Sequence, residues 1–343
     1  MATMSMRAAV LAGHGKPLQV KLVPRPVAGR GQLLVRLQAC GICHSDVHIW
    51  KGDVRPPQAP EPFILGHEGV GVVAAIGEGV QGWAVGETIG VPWLHDTCLR
   101  CDECSDGYEA FCQHQRAHGL NVPGGFAEYV AVDAAFAVRL PSDVDPLATA
   151  PVMCAGVTAY GAIRRAGVTA GERLAVFGCG GLGLYAVQIA ARMGVHVVAV
   201  DRDPAKLDHA RRYGAAETEV AGEGLGQRLA ENPGFHAAIN FAPTTATWSA
   251  IVASIRPRGR IVAAALVSDP VPLVQEWLTA TGVTITGTSV GTRQEMREVV
   301  AMHAKQPLLN PIEEIDLSRA TDALVALEAG NAPGRFVIRF KAG

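Results

Sequence analysis

A glycine-rich turn between a short apolar strand and a helix constrains the fold of this chain more than any other feature. The run 173–177 is apolar and strand-like, Gly178-Cys179-Gly180-Gly181-Leu182-Gly183 follows it, and a helical stretch continues through Met193. A second strand-like run, 195–200, ends at Asp201. This order of strand, glycine-rich turn, helix, strand and acid is typical of a pyrophosphate-binding turn at a helix N-terminus. The segment therefore predicts part of a doubly wound, parallel α/β sheet that binds a dinucleotide.

Three later strand-like runs, 237–241, 260–265 and 283–287, extend this pattern, with helical stretches between them. They predict a Rossmann sheet of about six strands, in which 283–287 is the edge. Helical runs at 293–305 and 318–329 precede a last strand-like run, 335–340. Because this last run follows the completed sheet, we expect it to return to the first part of the chain.

Asp201 bears on the choice of dinucleotide. A carboxylate at this place accepts hydrogen bonds from the adenosine ribose hydroxyls and repels a 2′-phosphate, so the sequence favours NAD over NADP. Arg202 is the next residue, and an arginine there can tolerate a phosphate. Use of NADPH by the same fold therefore stays open as the alternative.

Four cysteines, 98, 101, 104 and 112, are clustered in one short segment. Two-residue spacers allow successive thiolates to face one tetrahedral centre, and four thiolates leave no open position, so the cluster predicts a structural metal site. Zinc is favoured over an iron–sulfur cluster, whose cysteine spacing can look similar. His114 and His118 lie beside the cluster and could compete as ligands, although the four thiolates suffice.

A second set of metal-type residues begins at Cys43 and includes His67. Catalytic zinc sites use three protein ligands and keep one open position. Cys43 and His67 could supply two ligands and the distant Cys154 the third. The alternative is that Cys43 is a buried apolar residue and His67 a hydrogen-bonded core histidine.

Length and charge limit the class of protein. A chain of 343 residues favours two domains. Residues 7–38 alternate short apolar runs with Gly and Pro, and residues 69–75 and 82–91 are rich in valine and glycine, as in a small, twisted β-domain or barrel. A net charge of -2 gives no basic patch for nucleic acid. The N-terminus lacks the apolar core of a secretory signal, and no apolar run reaches the roughly 20 residues of a membrane span. We therefore expect a soluble, cytoplasmic protein with no nucleic-acid or membrane partner.

In this order, the motifs closely resemble those of the zinc-dependent, medium-chain alcohol dehydrogenases. The resemblance covers essentially the whole chain, and Trp50-Lys51-Gly52-Asp53 is similar to the tetrameric yeast and bacterial branch. It implies a GroES-like catalytic domain formed by residues 1–152 and 289–343, which would carry both zinc sites. It also implies a Rossmann NAD-binding domain formed by residues 153–288.

The resemblance further implies a role for each residue of the site. Cys43, His67 and Cys154 match the catalytic zinc ligands, and Cys98, Cys101, Cys104 and Cys112 match the structural zinc ligands. Glu68 matches a carboxylate near the metal, Asp46 the partner that orients His67, Ser45 the hydroxyl that binds the substrate oxygen, and His48 the outer end of the proton relay. The implied cofactor-binding residues are His44, Thr158, Gly178, Gly180, Gly181, Leu182, Gly183, Asp201, Lys206, Leu266, Val290 and Arg293.

The implied activity is reversible hydride transfer between a mainly primary alcohol and NAD, which gives an aldehyde and NADH. Trp50 and Trp93 match aromatic residues of the substrate pocket, although either could be an ordinary core residue. The edge strand 283–287 implies pairing with a second copy, so a homotetramer is expected, with a dimer as the other possibility. Three rivals remain: an NADPH-dependent aldehyde reductase of the same fold, a non-catalytic NAD sensor and a zinc-ribbon module.

Overall fold

The computed structural model describes residues 4–231, 234–271 and 273–341. In this part of the chain the strands are β1 Ser5–Val10, β2 Gln19–Pro24, β3 Gln32–Ile42, β4 Gly69–Ile76, β5 Thr88–Val91, β6 Leu94–Asp96, β7 Arg116–Ala117, β8 Tyr129–Asp133, β9 Val138–Arg139, β10 Arg173–Phe177, β11 His196–Asp201, β12 Glu217–Val220, β13 Phe235–Asn240, β14 Ile255–Ala263, β15 Thr284–Gly287, β16 Ile312–Ile315 and β17 Arg335–Arg339.

The α-helices are α1 His44–Lys51, α2 Asp102–Ser105, α3 Pro146–Thr149, α4 Ala155–Ala166, α5 Gly183–Arg192, α6 Pro204–Arg212, α7 Leu225–Ala230, α8 Trp248–Ser254, α9 Gln275–Thr281, α10 Arg293–Lys305 and α11 Ala320–Glu328. Short 3-10 turns occur at Glu109–Phe111, Ala150–Met153, Thr245–Thr247 and Leu317–Arg319.

The chain forms two compact units. One comprises Met1–Ala155 together with Thr292–Gly343, and the other comprises Gly156–Gly291. The sequence placed its domain boundaries at 152/153 and 288/289, three residues before each of these divisions.

The first unit is built on a mostly antiparallel sheet in the order β16-β17-β3-β4-β5-β9, with β8 also paired to β3. Alternate residues of a strand point to the same face of a sheet, and Leu33, Val35 and Leu37 of β3 are all buried in one core cluster. The C-terminal strand β17 pairs antiparallel with β3, with Ile338 opposite Cys40. Two distant parts of the chain thus meet beside the segment that contains Cys43.

Helix α1 directly follows β3 and fixes the direction of the chain after Cys43. Cys43 is its N-cap, and the chain leaves it through Gly52, whose φ of 86° is in the left-handed region that favours glycine. Val47, Ile49 and Trp50 of this helix are buried in a second core cluster, which also contains residues of α11. Burial of one helix face holds the other residues of α1 in place.

The second unit contains a six-stranded parallel sheet in the order β12-β11-β10-β13-β14-β15. Its central strands β10 and β11 are almost entirely buried apolar runs, as expected for parallel strands covered on both faces. The predicted α/β fold with a doubly wound sheet is confirmed, and β15 lies at an edge as expected. Strand β12 was not recognised in the sequence, because Glu-Thr-Glu-Val is short, polar and only half-buried.

The described residues include no single helix that is long and apolar enough to cross a membrane. The bent pair Pro146–Met153 and Ala155–Ala166 passes the same test by length and composition, but most of its residues are buried inside the protein.

Candidate metal centres and dinucleotide site

Four buried side chains from three separate segments form a metal-type cluster in the first unit. Cys43, His67, Glu68 and Cys154 each direct one ligand atom into it, and these atoms all lie within 4.8 Å of one another. The Cys43 and Cys154 Sγ atoms are 3.9 Å apart, although the two residues are 111 positions apart in the chain. Tetrahedral zinc with Zn–S bonds of about 2.3 Å requires sulfur atoms about 3.8 Å apart, so the thiol pair fits this ion.

The buried carboxylate of Asp46 connects two of the segments around this cluster. Its Oδ2 accepts a hydrogen bond from the Cys43 backbone N–H at 2.9 Å, and its Oδ1 accepts one from the Gly66 N–H at 3.1 Å. The same Oδ1 lies 3.3 Å from His67 Nδ1. Among the described residues, no hydrogen bond of normal geometry reaches Nδ1 or Nε2 of His67, despite complete burial. A metal at Nε2 would satisfy one of these atoms, since zinc-bound histidine commonly presents its other nitrogen to a carboxylate.

Charge in the cluster also favours a cation. Contact with Cys154 lowers the pKa of the Cys43 thiol well below its usual range, and the same contact raises the pKa of Cys154 well above it. Burial raises the pKa of Glu68 to about 7. Two thiols and a carboxyl group in an apolar interior cannot all ionise without a compensating charge, which a divalent ion would supply.

Arg335, which was not recognised in the sequence, provides one positive charge beside the cluster. Its Nη2 donates to Glu68 Oε2, and both side chains are almost completely buried. A Cβ at Gly41 would come within 2.0 Å of the same Glu68 oxygen, so glycine is needed there. No sequence signal pointed to Arg335, because a basic residue at the start of an apolar strand usually lies in solvent.

The four clustered cysteines, in contrast, meet within one loop. The ligand atoms of Cys98, Cys101, Cys104 and Cys112 lie within 4.8 Å of one another, with Cys112 Sγ 3.6 Å from Cys98 Sγ. The backbone N–H groups of Arg100 and Cys101 lower the pKa of the Cys98 thiol to about 6. Four thiols at zinc-like spacing, one of them readily ionised, fit a closed tetrahedral zinc site.

One ion pair closes the base of this loop, and a second attaches the loop to helix α10. At its base, Arg116 donates to Asp96. Farther out, the nearly buried Glu109 accepts a 2.7 Å hydrogen bond from Arg293 Nε, and the Arg293 guanidinium lies 4.8 Å from the centre of the Phe136 ring. Arg293, which the sequence assigned to the cofactor, therefore also holds the four-cysteine loop.

The predicted relay residues lie on α1. Ser45 Oγ is 3.8 Å from Cys43 Sγ, within reach of the cluster. His48 Nδ1 lies 3.1 Å from Asp53 Oδ2, a partner that was not recognised in the sequence. His44 is half-buried with its ring 5.2 Å from that of His48, and burial lowers the pKa of His44.

The glycine-rich turn of the second unit requires two of its glycines. A Cβ at Gly183 would meet the Gly178 carbonyl at 1.8 Å, and Gly178 has a φ of 90°. A Cβ at Gly180 would meet no atom of the described residues within 4 Å, which leaves room for a ligand beside this residue. Asp201 accepts hydrogen bonds from the backbone N–H groups of Cys179 at 2.7 Å and Asp203 at 3.0 Å, which fix its carboxylate beside the turn.

The remaining predicted cofactor residues of this unit differ in their surroundings. Thr158 is buried and Lys206 is half-buried. Leu266 is 62% exposed, and Val290 has a φ of 41°, which is uncommon for a β-branched residue. Gly181 and Leu182 directly precede α5.

The two tryptophans assigned to the pocket have different surroundings. Trp50 is 6% exposed within a core cluster, and its indole N–H donates to the Lys16 carbonyl at 2.7 Å. Trp93 is half-buried and packs edge-on against His67, with ring centres 4.8 Å apart at 89°.

Comparison with protein families assigns both units. The family described as "Alcohol dehydrogenase GroES-like domain" matches residues 29–142, and "Zinc-binding dehydrogenase" matches residues 181–305. An alcohol dehydrogenase from Geobacillus stearothermophilus is 36% identical over 345 residues, which cover 98% of this chain and 99% of that protein.

Solved structures agree with the sequence relatives. The alcohol dehydrogenase from the archaeon Aeropyrum pernix superposes with a TM-score of 0.89 at 29% identity, covering 97% of this chain and 100% of that one. An acetophenone reductase from Geotrichum candidum, solved in complex with NAD, superposes with a TM-score of 0.86 at 26% identity. The match covers 98% of this chain and 97% of that one.

Proposed function

The chain belongs to the zinc-dependent, medium-chain alcohol dehydrogenase family and is an oxidoreductase that acts on alcohols; we propose that it uses NAD, prefers primary alcohols and holds one catalytic and one structural zinc. The observation that carries this proposal is the cluster of Cys43, His67 and Cys154. It places two thiols and a completely buried imidazole together in one site.

We propose that these three residues hold the catalytic zinc, and that Cys98, Cys101, Cys104 and Cys112 hold the structural one. Catalytic zinc acts as a Lewis acid that lowers the pKa of an alcohol hydroxyl. Asp46 keeps His67 oriented through Nδ1, so that Nε2 faces the cluster. Glu68, paired with Arg335, is the carboxylate beside the metal ligands.

Ser45 and His48 form the proposed proton path. Ser45 Oγ would accept the hydroxyl proton of the alcohol and pass on its own. The Asp53 carboxylate can only accept a hydrogen bond, so it favours the His48 tautomer with the proton on Nδ1. His48 Nε2 is then available to take up the relayed proton and release it to solvent.

For the cofactor, we propose that Gly178, Gly180 and Gly183 allow the pyrophosphate to approach the backbone at the start of α5. The nicotinamide of the bound cofactor would accept the hydride. The fixed carboxylate of Asp201 supports NAD, because a 2′-phosphate would meet a negative charge.

The other predicted cofactor contacts are kept as part of the proposal. They are His44, Thr158, Gly181, Leu182, Lys206, Leu266, Val290 and Arg293.

We further propose that Trp93 forms a wall of the alcohol pocket, because its ring packs against a metal ligand. Trp50 remains predicted as a second aromatic residue of the pocket. A homotetramer is proposed, since the edge strand β15 offers unpaired backbone groups to a second copy. The GroES-like unit would carry both zinc sites and the Rossmann unit the dinucleotide.

The test is the initial rate of reduced-cofactor formation with NAD or NADP across primary alcohols from ethanol to benzyl alcohol, on protein of measured zinc content. We expect turnover with strong preference for NAD and two zinc ions per chain. Turnover with NADP alone would overturn the cofactor assignment and favour the NADPH-dependent aldehyde reductase, with Arg202 binding the 2′-phosphate. Absence of turnover in protein that holds both zinc ions would overturn the catalytic proposal.

A further inference from the structure

Two buried histidines lie at the base of the four-cysteine loop. Strands β6 and β7 enter and leave this loop as an antiparallel pair, with Asp96 opposite Arg116. His95 belongs to β6 and is 3% exposed, while His118 follows β7 and is completely buried. Their rings meet edge-on, with centres 4.8 Å apart at 88°.

The hydrogen bonds of this pair determine which nitrogen carries the proton. His118 Nδ1 lies 2.8 Å from the Pro92 carbonyl, which can only accept, so Nδ1 must donate. Burial lowers the pKa of His118 to about 3, so the ring is neutral and Nε2 can accept. His95 Nδ1, 3.1 Å away, therefore donates to His118 Nε2. Both nitrogens of His118 are thus engaged away from the four cysteines.

His118 also contacts the next carbonyl along the chain. Its backbone N–H donates to the Trp93 carbonyl at 2.9 Å. His118 therefore binds the carbonyls on both sides of Trp93 Cα, that of Pro92 through its ring and that of Trp93 through its backbone N–H. Because Trp93 packs edge-on against His67, this arrangement fixes the indole relative to a predicted metal ligand.

We propose that His118, held by His95, is a positioning residue that fixes Trp93 against His67 and thereby sets the width of the alcohol pocket. The inference rests on the proposed function, in which Trp93 is a wall of that pocket. Its physical basis is rigidity, since a side chain held through both neighbouring peptide groups resists displacement, and displacements of about 1 Å in a reacting site can change rates about 100-fold.

Two variants of His118 separate its two ring nitrogens. In His118→Asn the side-chain amide lies where Nδ1 was and can still donate to the Pro92 carbonyl. In His118→Gln the amide lies near the former Nε2, and the carbonyl loses its donor. The two amides have similar polarity, so the pair is matched.

The measurement is the ratio of kcat/KM for benzyl alcohol to kcat/KM for ethanol, with zinc content and thermal unfolding recorded for each variant. We expect His118→Gln to raise this ratio about 5-fold or more, because a loosened indole admits the larger alcohol and makes poorer contact with the smaller one. We expect the ratio for His118→Asn to stay within about 2-fold of the ratio for the starting protein. A merely structural role would lower stability without a selective change in this ratio.

An unchanged ratio in both variants, or an equal change in both, would overturn the inference. Should His118→Gln fail to fold, the His95 pair decides. His95→Asn keeps a donor at the Nδ1 position and His95→Gln does not. We therefore expect the ratio to be about 3-fold higher in His95→Gln than in His95→Asn. Equal ratios would overturn the inference.

Trp93→Ala distinguishes failure of this inference from failure of the proposed function. If Trp93→Ala leaves the ratio unchanged, the pocket assignment is wrong and the inference fails with it. If Trp93→Ala changes the ratio while the histidine variants do not, the pocket assignment holds and only the positioning role is overturned.

Discussion

The two cysteine-containing clusters of the first unit differ in how the chain builds them. Cys98, Cys101, Cys104 and Cys112 come from one loop and, apart from Cys112, are partly exposed. Cys43, His67 and Cys154 come from distant segments, are buried, and lie beside a carboxylate paired with an arginine. The first set offers four thiols, as in a closed structural zinc site, whereas the second offers the two thiols and one imidazole proposed for a catalytic site with an open position.

This difference indicates what each cluster depends on. The loop has little core of its own, because helix α2 within it has no buried residue. We therefore expect its order to depend mainly on the proposed zinc ion and on the ion pairs at its edges. The buried cluster is held by strands β3 and β17, helix α1 and the hydrogen bonds of Asp46, so its framework is formed by the fold itself.

The largest expected effect is on catalysis, when a proposed ligand of the buried cluster is replaced. We predict that Cys154→Ser lowers kcat/KM by about 1000-fold or more and reduces zinc from two ions to one per chain, because the metal loses a thiolate ligand. Zinc analysis and steady-state rates measure this. The control is Cys40→Ala, a buried cysteine outside the cluster, which should keep both zinc ions. Full activity in Cys154→Ser would contradict the ligand assignment.

The corresponding change in the loop should affect stability more than chemistry. We predict that Cys104→Ser also removes one zinc ion, destabilises the chain by about 3 kcal/mol and lowers Tm by about 4 °C. Limited proteolysis should then cut within residues 98–112. At temperatures well below Tm, kcat should fall by about 10-fold at most. Loss of activity equal to that of Cys154→Ser would erase the distinction between the clusters.

The histidine pair between the clusters predicts a dependence of stability on pH. Burial lowers the pKa of His95 to about 4 and that of His118 to about 3. The unfolded chain therefore binds more protons below pH of about 6.5, so stability is complete above that value and falls as pH decreases towards about 4. At pH of about 5, each imidazole should lower the free energy of unfolding by about 2 kcal/mol relative to neutral pH.

Urea unfolding between neutral pH and pH of about 5 would measure this loss. The charged and titratable groups facing the pair are Asp96, Arg116 and His67. The double variant His95→Asn, His118→Asn removes both imidazoles and should flatten the dependence. An equally steep dependence in that variant would assign the acid sensitivity to other groups.

The smallest predicted effect concerns the attachment of the loop at Glu109. Glu109→Gln removes the charge that faces Arg293, which is itself about one-third exposed. We expect the free energy of unfolding to fall by about 1–2 kcal/mol. This is less than for a fully buried pair, because solvent reaches the guanidinium. The KM for NAD should stay within about 2-fold in Glu109→Gln and rise in Arg293→Gln, if Arg293 also contacts the cofactor as proposed. Equal KM values in both variants would leave Arg293 with a structural role alone.

Much of the fold could be predicted because its signals are local. The glycine-rich turn, the buried strands beside it and Asp201 lie within one short segment, and their order indicated the doubly wound sheet that the structure contains. Helix α10 begins and ends where its pattern placed it, at 293 and 305. Strand β12 escaped recognition because its stability comes from pairing with β11 rather than from its own polar sequence.

The sequence by itself determined the four-cysteine cluster and the glycine-rich turn, because their thiols and glycines are spaced along short segments of the chain. Only the tertiary structure decided that Cys154 lies 3.9 Å from Cys43, that Arg335 pairs with Glu68, and that His118 holds the peptide groups around Trp93. Each of these contacts joins residues brought together by sheet pairing and core packing. Their geometry depends on where the whole chain buries its apolar surface, which spacing along the sequence does not record.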